Sequence, residues 1–200
     1  MDIQSTLFLY VVIILSAILH EYAHAWAAFR QGDLTAKYAG RLTLNPLAHI
    51  DWWGTVLMPL MLLYFFRIFF GYAKPVPINP YNFRDQRRGM IEVSLAGVGA
   101  NFLLAIVFGL FIRFMPDFFL SPFLALIVMV NIWLGLFNLL PFPPLDGSKL
   151  LIALADINTS RYSRTIEFLS QPVGILIAIF VAMTFLPYLS DFIFRLIVGR

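Results

Sequence analysis

The sequence predicts an all-α polytopic membrane protein made of a single domain, residues 1–200. Sixty per cent of the 200 residues are hydrophobic and 12% are charged, and the mean hydropathy is +0.83. The apolar residues form five long runs separated by polar loops, as in proteins that cross a membrane several times. These runs span residues 7–29, 52–70, 90–114, 123–140 and 173–186.

Charge and cysteine content exclude several other classes of protein. The formal net charge is +3, and the basic residues are too scattered for a nucleic-acid-binding protein. The absence of cysteine excludes thiolate catalysis, cysteine-based zinc sites and disulfides. No Lys or Arg precedes the first apolar run and no small-residue cleavage site follows it, so we do not expect a signal peptide that is removed.

The first apolar run carries two histidines and a glutamate in its second half. His20 and His24 are four residues apart, so in a helix both imidazoles lie on one face and can reach one metal ion. Glu21 lies about 100° round the helix from His20, close enough to hold a metal-bound water without ligating the metal. This spacing is typical of zinc hydrolases. The alternative, polar contacts between packed helices, requires a separate explanation for each of the three residues.

The polar loop and the second apolar run that follow are less informative. His49, in the loop, could line the mouth of a site, bind substrate, support another residue or only contact its own loop. Pro59 and Arg67 interrupt the second run. We expect this run either to re-enter the membrane or to cross it with an extended return.

Residues 71–79 cannot be helical, because Pro75, Pro77 and Pro80 put three prolines into the six residues 75–80, where they remove backbone donors and favour an extended chain. We predict that this stretch lies beside the metal and binds substrate as an added β-strand through Lys74, Val76 and Ile78. The prediction assumes that the prolines leave the backbone groups of these three residues free. The alternative is an exposed connecting loop stiffened by proline.

A catalytic zinc usually takes three protein ligands and leaves a fourth position for water. The candidates for the third ligand are His49, Glu92 and Asp146. Asp146 is favoured because it follows a proline-broken helix end, where a kink can aim a side chain sideways, and Gly147 permits a tight turn. An ordinary interfacial turn is the alternative for this motif.

Three motifs follow one another along the chain: His20-Glu21-x-x-His24 (HExxH), Gly97-x-x-x-Asn101 (GxxxN) and Asn138-x-x-Pro141-x-x-x-x-Asp146-Gly147 (NxxPxxxxDG). In this order they resemble the motifs of the site-2 protease family of intramembrane metalloproteases, peptidase family M50. The resemblance covers roughly residues 7–150 and is to the short form of the family, without PDZ or CBS domains. One departure is Val98, where many members have proline.

The resemblance implies one Zn²⁺ ion per chain, with His20, His24 and Asp146 as ligands and Glu21 as general base. Asn138 would help to position substrate or to stabilise the transition-state oxygen. Asn101 would support the site and is grouped with the substrate-binding residues. Hydrogen bonds between packed helices are the alternative for both Asn side chains.

The function implied by the resemblance is intramembrane cleavage of the transmembrane segments of other membrane proteins. It implies a three-helix catalytic core, with a re-entrant or extended segment and an accessory transmembrane helix, in the lipid bilayer of a bacterial or archaeal cell. A metal or ion transporter is one alternative, although no further chain of polar residues leads onward from the cluster in the sequence. An inactive homologue that serves as a scaffold is another. The sequence does not indicate an oligomeric state.

Charge predicts which side of the membrane the site faces. If the three motifs meet at one zinc, the loops 30–51, 71–89 and 141–171 lie on the same side. By the positive-inside rule this side is cytoplasmic, because it holds ten of the 14 Lys and Arg residues. The ten are Arg30, Lys37, Arg41, Lys74, Arg84, Arg87, Arg88, Lys149, Arg161 and Arg164.

Overall fold

The computed structural model describes residues 3–66, 74–155 and 163–199. In this part of the chain all regular secondary structure is helical and no β-strand occurs, which confirms the predicted all-α class. The α-helices are α1 (Ile3–Arg30), α2 (Thr35–Tyr38), α3 (Met58–Phe66), α4 (Gln86–Phe114), α5 (Ser121–Asn138), α6 (Asp146–Leu154), α7 (Ser163–Leu169) and α8 (Pro172–Val198).

Four of these helices, α1, α4, α5 and α8, are long and apolar enough to cross a membrane. They correspond to the first, third, fourth and fifth apolar runs of the sequence. The second run begins with a π-helical stretch, Trp52–Leu57, and continues into α3. Residues 67–73 lie outside the described part of the chain, so the expectation that this run re-enters or spans the membrane stays a prediction.

Helix α4 is the centre of the bundle and packs against α1, α5, α6 and α8. Small residues allow this close packing, as in other membrane helix pairs. A Cβ atom at Gly109 would lie 2.4 Å from Cγ2 of Ile197 on α8. The apolar core between α4, α5 and α8 is built from branched and small side chains: Ala105, Ile112, Val128, Ile132, Leu136, Ala182, Leu186 and Val198.

The ends of the helices position the polar residues. Asp85 caps α4, since its carboxylate accepts the backbone N–H of Arg88 at 2.9 Å. At the start of α6, a Cβ atom at Gly147 would lie only 2.1 Å from the backbone oxygen of Leu139. The glycine therefore lets α6 begin directly against the end of α5, and this brings Asp146 into the bundle.

Candidate metal centre

Among the residues that the structure describes, one group of His and acidic side chains could hold a metal ion: His20, His24 and Asp146. The two histidines extend from one face of α1, and Asp146 is the first residue of α6. The Nε2 atoms of His20 and His24 are 2.9 Å apart, and Asp146 Oδ2 lies 3.1 Å and 2.9 Å from them, respectively. All three side chains are buried. Two imidazole nitrogens and one carboxylate oxygen are a ligand set of catalytic zinc sites.

The opposite ring nitrogens of both histidines are engaged in hydrogen bonds, which leaves the Nε2 atoms to face the metal position. His24 Nδ1–H donates to the backbone oxygen of Val93 at 2.7 Å. A carbonyl oxygen only accepts, so the hydrogen of this ring lies on Nδ1 and Nε2 carries a lone pair. Zinc-ligating histidines are held in the same way in other proteins.

The corresponding bond of His20 belongs to a longer chain of buried amides. His20 Nδ1 lies 2.6 Å from Asn101 Oδ1, Asn101 Nδ2 donates to Asn131 Oδ1 at 3.0 Å, and Asn131 Nδ2 donates to Ser16 Oγ at 3.0 Å. Asn131 Nδ2 also donates to the backbone oxygen of Ile127. The Ile127 oxygen only accepts, so Asn131 must donate to it from Nδ2 and accept at Oδ1. Asn101 then donates to Asn131 from Nδ2 and turns its own Oδ1 towards His20. The ring hydrogen of His20 therefore lies on Nδ1, and Nε2 carries the lone pair.

This chain corrects one statement drawn from the sequence, that no further polar residues lead onward from the cluster. Asn101, Asn131 and Ser16 do lead away from His20 into the bundle. They are uncharged, buried and hydrogen-bonded to one another, so they support the imidazole and offer no path for an ion. Sequence reasoning missed Asn131 and Ser16, although each is an isolated polar residue in an apolar run, which is the signal that could have identified them.

Gly97 provides the space for both imidazole rings. A Cβ atom at this position would lie 2.5 Å from His24 Nε2 and 2.7 Å from His20 Cε1. Gly97 and Asn101 are one turn apart on α4, so the two named residues of the GxxxN motif lie on the face of α4 that meets the histidines: Gly97 adjoins both rings, and Asn101 contacts His20. One makes room for the histidines and the other orients His20.

Asp146 is held in the charged form that ligates metals. Burial by itself raises the pKa of Asp146; without a metal, hydrogens shared with the His20 and His24 rings and the charge of Lys149 outweigh burial and lower the pKa, and a bound cation would take the place of those hydrogens. Lys149 Nζ donates to the second carboxylate oxygen, Oδ1, at 3.1 Å. The contact was missed in the sequence, where the i, i+3 spacing on a helix is the signal for it.

The other two candidates for the third ligand lie in separate contacts. His49 is buried in its loop, and its Nε2–H donates to the backbone oxygen of Thr43 at 2.8 Å. Glu92 accepts from Arg88 Nε at 2.8 Å and also from the side chain of Gln31. Only Asp146 joins the two metal-facing histidines, as the sequence favoured.

Glu21 is half-buried, and its carboxylate contacts the extended stretch after residue 73. Its Oε2 atom accepts the backbone N–H of Val76 at 2.8 Å, so this stretch lies beside the cluster as predicted. The backbone N–H of Lys74 donates to the backbone oxygen of His49 at 2.9 Å. The assumption that the backbone groups of Lys74 and Val76 are free is therefore wrong for both donors, because the fold itself uses them. Val76 is only 8% exposed, while Ile78 is half-buried.

The two asparagines of the motifs differ in exposure. Asn101 is fully buried between His20 and Asn131, so its contacts are those of a residue that supports His20. Asn138 is half-buried at the end of α5, where its Nδ2 donates to the backbone oxygen of Leu134 at 2.9 Å. An amide nitrogen carries two hydrogens, so this bond leaves one for another acceptor.

Comparison with known proteins supports the metal assignment. The family model described as "Peptidase family M50" matches residues 115–181, which include Asn138 and Asp146. The protein named "Putative zinc metalloprotease YwhC" from Bacillus subtilis is 37% identical over 155 residues, 72% of this chain and 67% of the relative. The protein named "Putative zinc metalloprotease Rip2" from Mycolicibacterium smegmatis is 29% identical over 187 residues, 92% of this chain and 69% of the relative. No solved structure matches.

Proposed function

The chain belongs to peptidase family M50, and from that premise we propose that this zinc metalloprotease cleaves the transmembrane segments of other membrane proteins. One observation carries the proposal: the buried cluster of His20, His24 and Asp146 lies in a helical bundle with four helices able to cross a membrane. A peptide bond that reaches this cluster must come from a segment that enters the bundle. A membrane-embedded helix is the kind of substrate that can do so.

The chain's own residues supply the acid–base steps. When bound to His20, His24 and Asp146, Zn²⁺ would polarise the scissile carbonyl and lower the pKa of water at the site. Glu21 takes a proton from the attacking water at its carboxylate and delivers it to the leaving amine nitrogen. Asn138 donates its second amide hydrogen to the developing oxyanion, a contribution of roughly 3 kcal/mol in other hydrolases.

The substrate helix must unwind before its peptide bond can be cut, because intrahelical hydrogen bonds shield each carbonyl. Substrates should therefore carry Gly, Pro or Asn near the cleaved bond. Lys74, Val76 and Ile78 would hold the unwound stretch as an added strand. Pro75 and Pro77 have no N–H, and the backbone N–H groups of Lys74 and Val76 already donate within the fold. The substrate strand would therefore pair mainly with the carbonyl oxygens of this stretch. Asn101 would act on substrate only through His20.

Glu21→Gln and Asp146→Ala separate the base from the ligands. Glu21→Gln should abolish cleavage but retain zinc, whereas Asp146→Ala should lose both. The test compares membrane proteins cleaved in cells that contain the wild-type enzyme or Glu21→Gln, together with zinc analysis of the purified proteins. Transmembrane fragments that appear equally with both enzymes would contradict the proposal, and so would stoichiometric zinc in Asp146→Ala.

The side that the site faces also follows from this proposal. We expect the loops that flank the metal cluster to face the cytosol, because they hold most of the basic residues. The chain has no native cysteine, so single substitutions can be labelled without background. Asp117→Cys, between α4 and α5, should react with a membrane-impermeant maleimide added outside the cell, and Asp85→Cys should react only after lysis. The reverse pattern would place the site on the outer side.

A further inference from the structure

Residues 74–79 have no regular secondary structure and form a strap that is held by hydrogen bonds at three points along its length. Near its start, the backbone N–H of Lys74 donates to the backbone oxygen of His49. In its middle, the backbone N–H of Val76 donates to Glu21 Oε2 at 2.8 Å. At its end, the backbone N–H of Asn79 donates to Asp33 Oδ2 at 2.7 Å.

Asp33 is the most heavily bonded of these three acceptors. It is 0% exposed, and its carboxylate also accepts from the side chain of Asn82 at 2.9 Å and from the backbone N–H and hydroxyl of Thr35. One buried carboxylate therefore joins the turn after α1 to the far end of the strap. Such a charge is stable in the interior because four hydrogen bonds compensate for its lost hydration.

The turn that carries Asp33 also contacts the chain just beyond the strap. Gly32 has φ +104°, in the left-handed region that favours glycine, and a Cβ there would lie 3.3 Å from the backbone oxygen of Asn82. The backbone N–H of Arg84 donates to the backbone oxygen of Gln31 at 2.9 Å. The end of the strap is thus fixed against the turn that directly follows α1, the helix that carries Glu21.

The prolines of the strap make its middle donor unusually well defined. Pro75 and Pro77 each fix φ near −65° and have no N–H, so Val76 provides the one donor between Lys74 and Ile78. The Val76 side chain is buried against Ala25 and Ala36. Both the side chain and the flanking backbone therefore hold the Val76 N–H in one place.

We propose that the strap positions the catalytic base and that Asp33 is the positioning residue that holds the strap in place. The Val76 N–H holds Oε2 of Glu21 and leaves Oε1 for the proton of the attacking water. Without this bond the glutamate side chain would sample several rotamers, and only some of them reach the reacting atoms. The hydrogen bond between Val76 and Glu21 follows from the geometry alone, whereas its effect on catalysis rests on the proposed function of Glu21.

Amide hydrogen exchange tests the strap without any measurement of activity. In a fragment of residues 74–80, the internal amide hydrogens belong to Val76, Ile78 and Asn79 alone, because positions 75, 77 and 80 are proline. Glu21→Ala should accelerate exchange at Val76 and leave Asn79 protected. Asp33→Ala should accelerate both by at least about tenfold, the factor that corresponds to loss of one hydrogen bond to a charged group.

Asp85→Ala is the matched control for Asp33→Ala. The carboxylate of Asp85 likewise accepts a backbone N–H, that of Arg88, but it does so at the start of α4, outside the strap. The control should leave the exchange of Val76 and Asn79 unchanged. If Asp33→Ala does not yield folded protein, the Glu21→Ala arm still decides whether Val76 is held by the glutamate. Unchanged exchange at Val76 in Glu21→Ala overturns the proposal.

Kinetics on a cleaved membrane substrate test the consequence for the base. Asp33→Ala should lower kcat at least about tenfold, because the strap acts on Glu21 and not on a metal ligand, and a rise in KM from the loosened substrate-binding residues should come in addition to this loss. Zinc content should stay at the wild-type value. An unchanged kcat, or a loss of zinc that accounts for the lost activity, overturns the positioning role. If the wild-type enzyme cleaves no membrane protein but Val76 exchange responds as expected, the proposed function fails and the strap contact stands.

Discussion

Replacement of Gly97 by alanine should disable the metal centre while it strengthens the helix that carries it. Alanine is favoured over glycine inside a helix by about 1 kcal/mol, so intrinsic helix stability rises. The added methyl group, however, would lie 2.5 Å from His24 Nε2, 2.6 Å from His24 Cε1 and 2.7 Å from His20 Cε1. Distances below about 3 Å between such atoms are strongly repulsive, so the rings or the helix must move.

The size of the effect follows from how firmly the rings are held. Both Nδ1 atoms are anchored in hydrogen bonds, to the Val93 carbonyl and to Asn101, so the rings cannot move away without loss of these bonds. A retreat of roughly 1 Å misplaces both histidine ligands at once, and misplacement of this size costs on the order of 100-fold in rate. Disturbed partners of zinc ligands lower metal affinity by about 10–100-fold.

Gly99→Ala is the matched control on the same helix. Nothing lies within 4 Å of a Cβ atom at Gly99, so this variant gains the same helix propensity without a clash. Zinc affinity is measured by competition with a chromogenic chelator, and cleavage is measured on a membrane-protein substrate of the wild-type enzyme. Wild-type zinc affinity in Gly97→Ala, or equal losses in Gly97→Ala and Gly99→Ala, would show that Gly97 does not make room for the histidines.

Three further substitutions test other parts of the structure. Asn131→Leu should lower zinc affinity about tenfold or more, because it breaks the chain that orients Asn101; unchanged affinity in the chelator competition would argue that the chain is unimportant for His20. Burial raises the pKa of Asp33, but hydrogen bonds from Thr35, Asn79 and Asn82 outweigh it and lower the pKa. The stability that this carboxylate contributes is then complete above its unfolded-state pKa of about 3.9 and is lost as the pH falls through the lower folded pKa. The melting temperature should therefore fall more between pH 5 and pH 3 in the wild type than in Asp33→Asn, and parallel curves would contradict this. Gly147→Ala should destabilise the protein by roughly 3 kcal/mol, because its Cβ would lie 2.1 Å from the Leu139 oxygen; an unchanged urea midpoint would refute this.

The long helices and the first two metal-facing residues could be predicted because both depend on local periodicity. A run of about 20 apolar residues predicts a spanning helix wherever it occurs, and α1, α4, α5 and α8 follow four such runs. The HExxH spacing places His20 and His24 on one helix face regardless of what packs against it. Asp146 was favoured among three candidates, and its distances to both histidines now exclude the other two.

The hydrogen-bond partners of the strap could not be predicted from local sequence patterns. The prolines correctly predict that residues 74–79 are not helical, and the hydrogen bond from Val76 places this stretch against Glu21, the residue next to His20. The backbone donors were expected to be free because no strand partner is visible in the sequence. The partners are a loop carbonyl of His49 and two side chains, Glu21 and Asp33, none of which follows a periodic pattern.

The sequence by itself determined the membrane class, the helical fold and the placement of His20 and His24 on one face of α1, because each follows from composition or from spacing along one helix, and the same spacing predicts Glu21 as the base. Only the tertiary structure decided what surrounds those residues. The Val93 carbonyl, the amides of Asn101 and Asn131 and the open space at Gly97 act on the histidines from other helices. Their effect depends on distances of a few ångströms between residues that lie 69 to 81 positions apart in the chain where they contact the histidines directly, and hydrophobic periodicity carries no information about contacts of that kind.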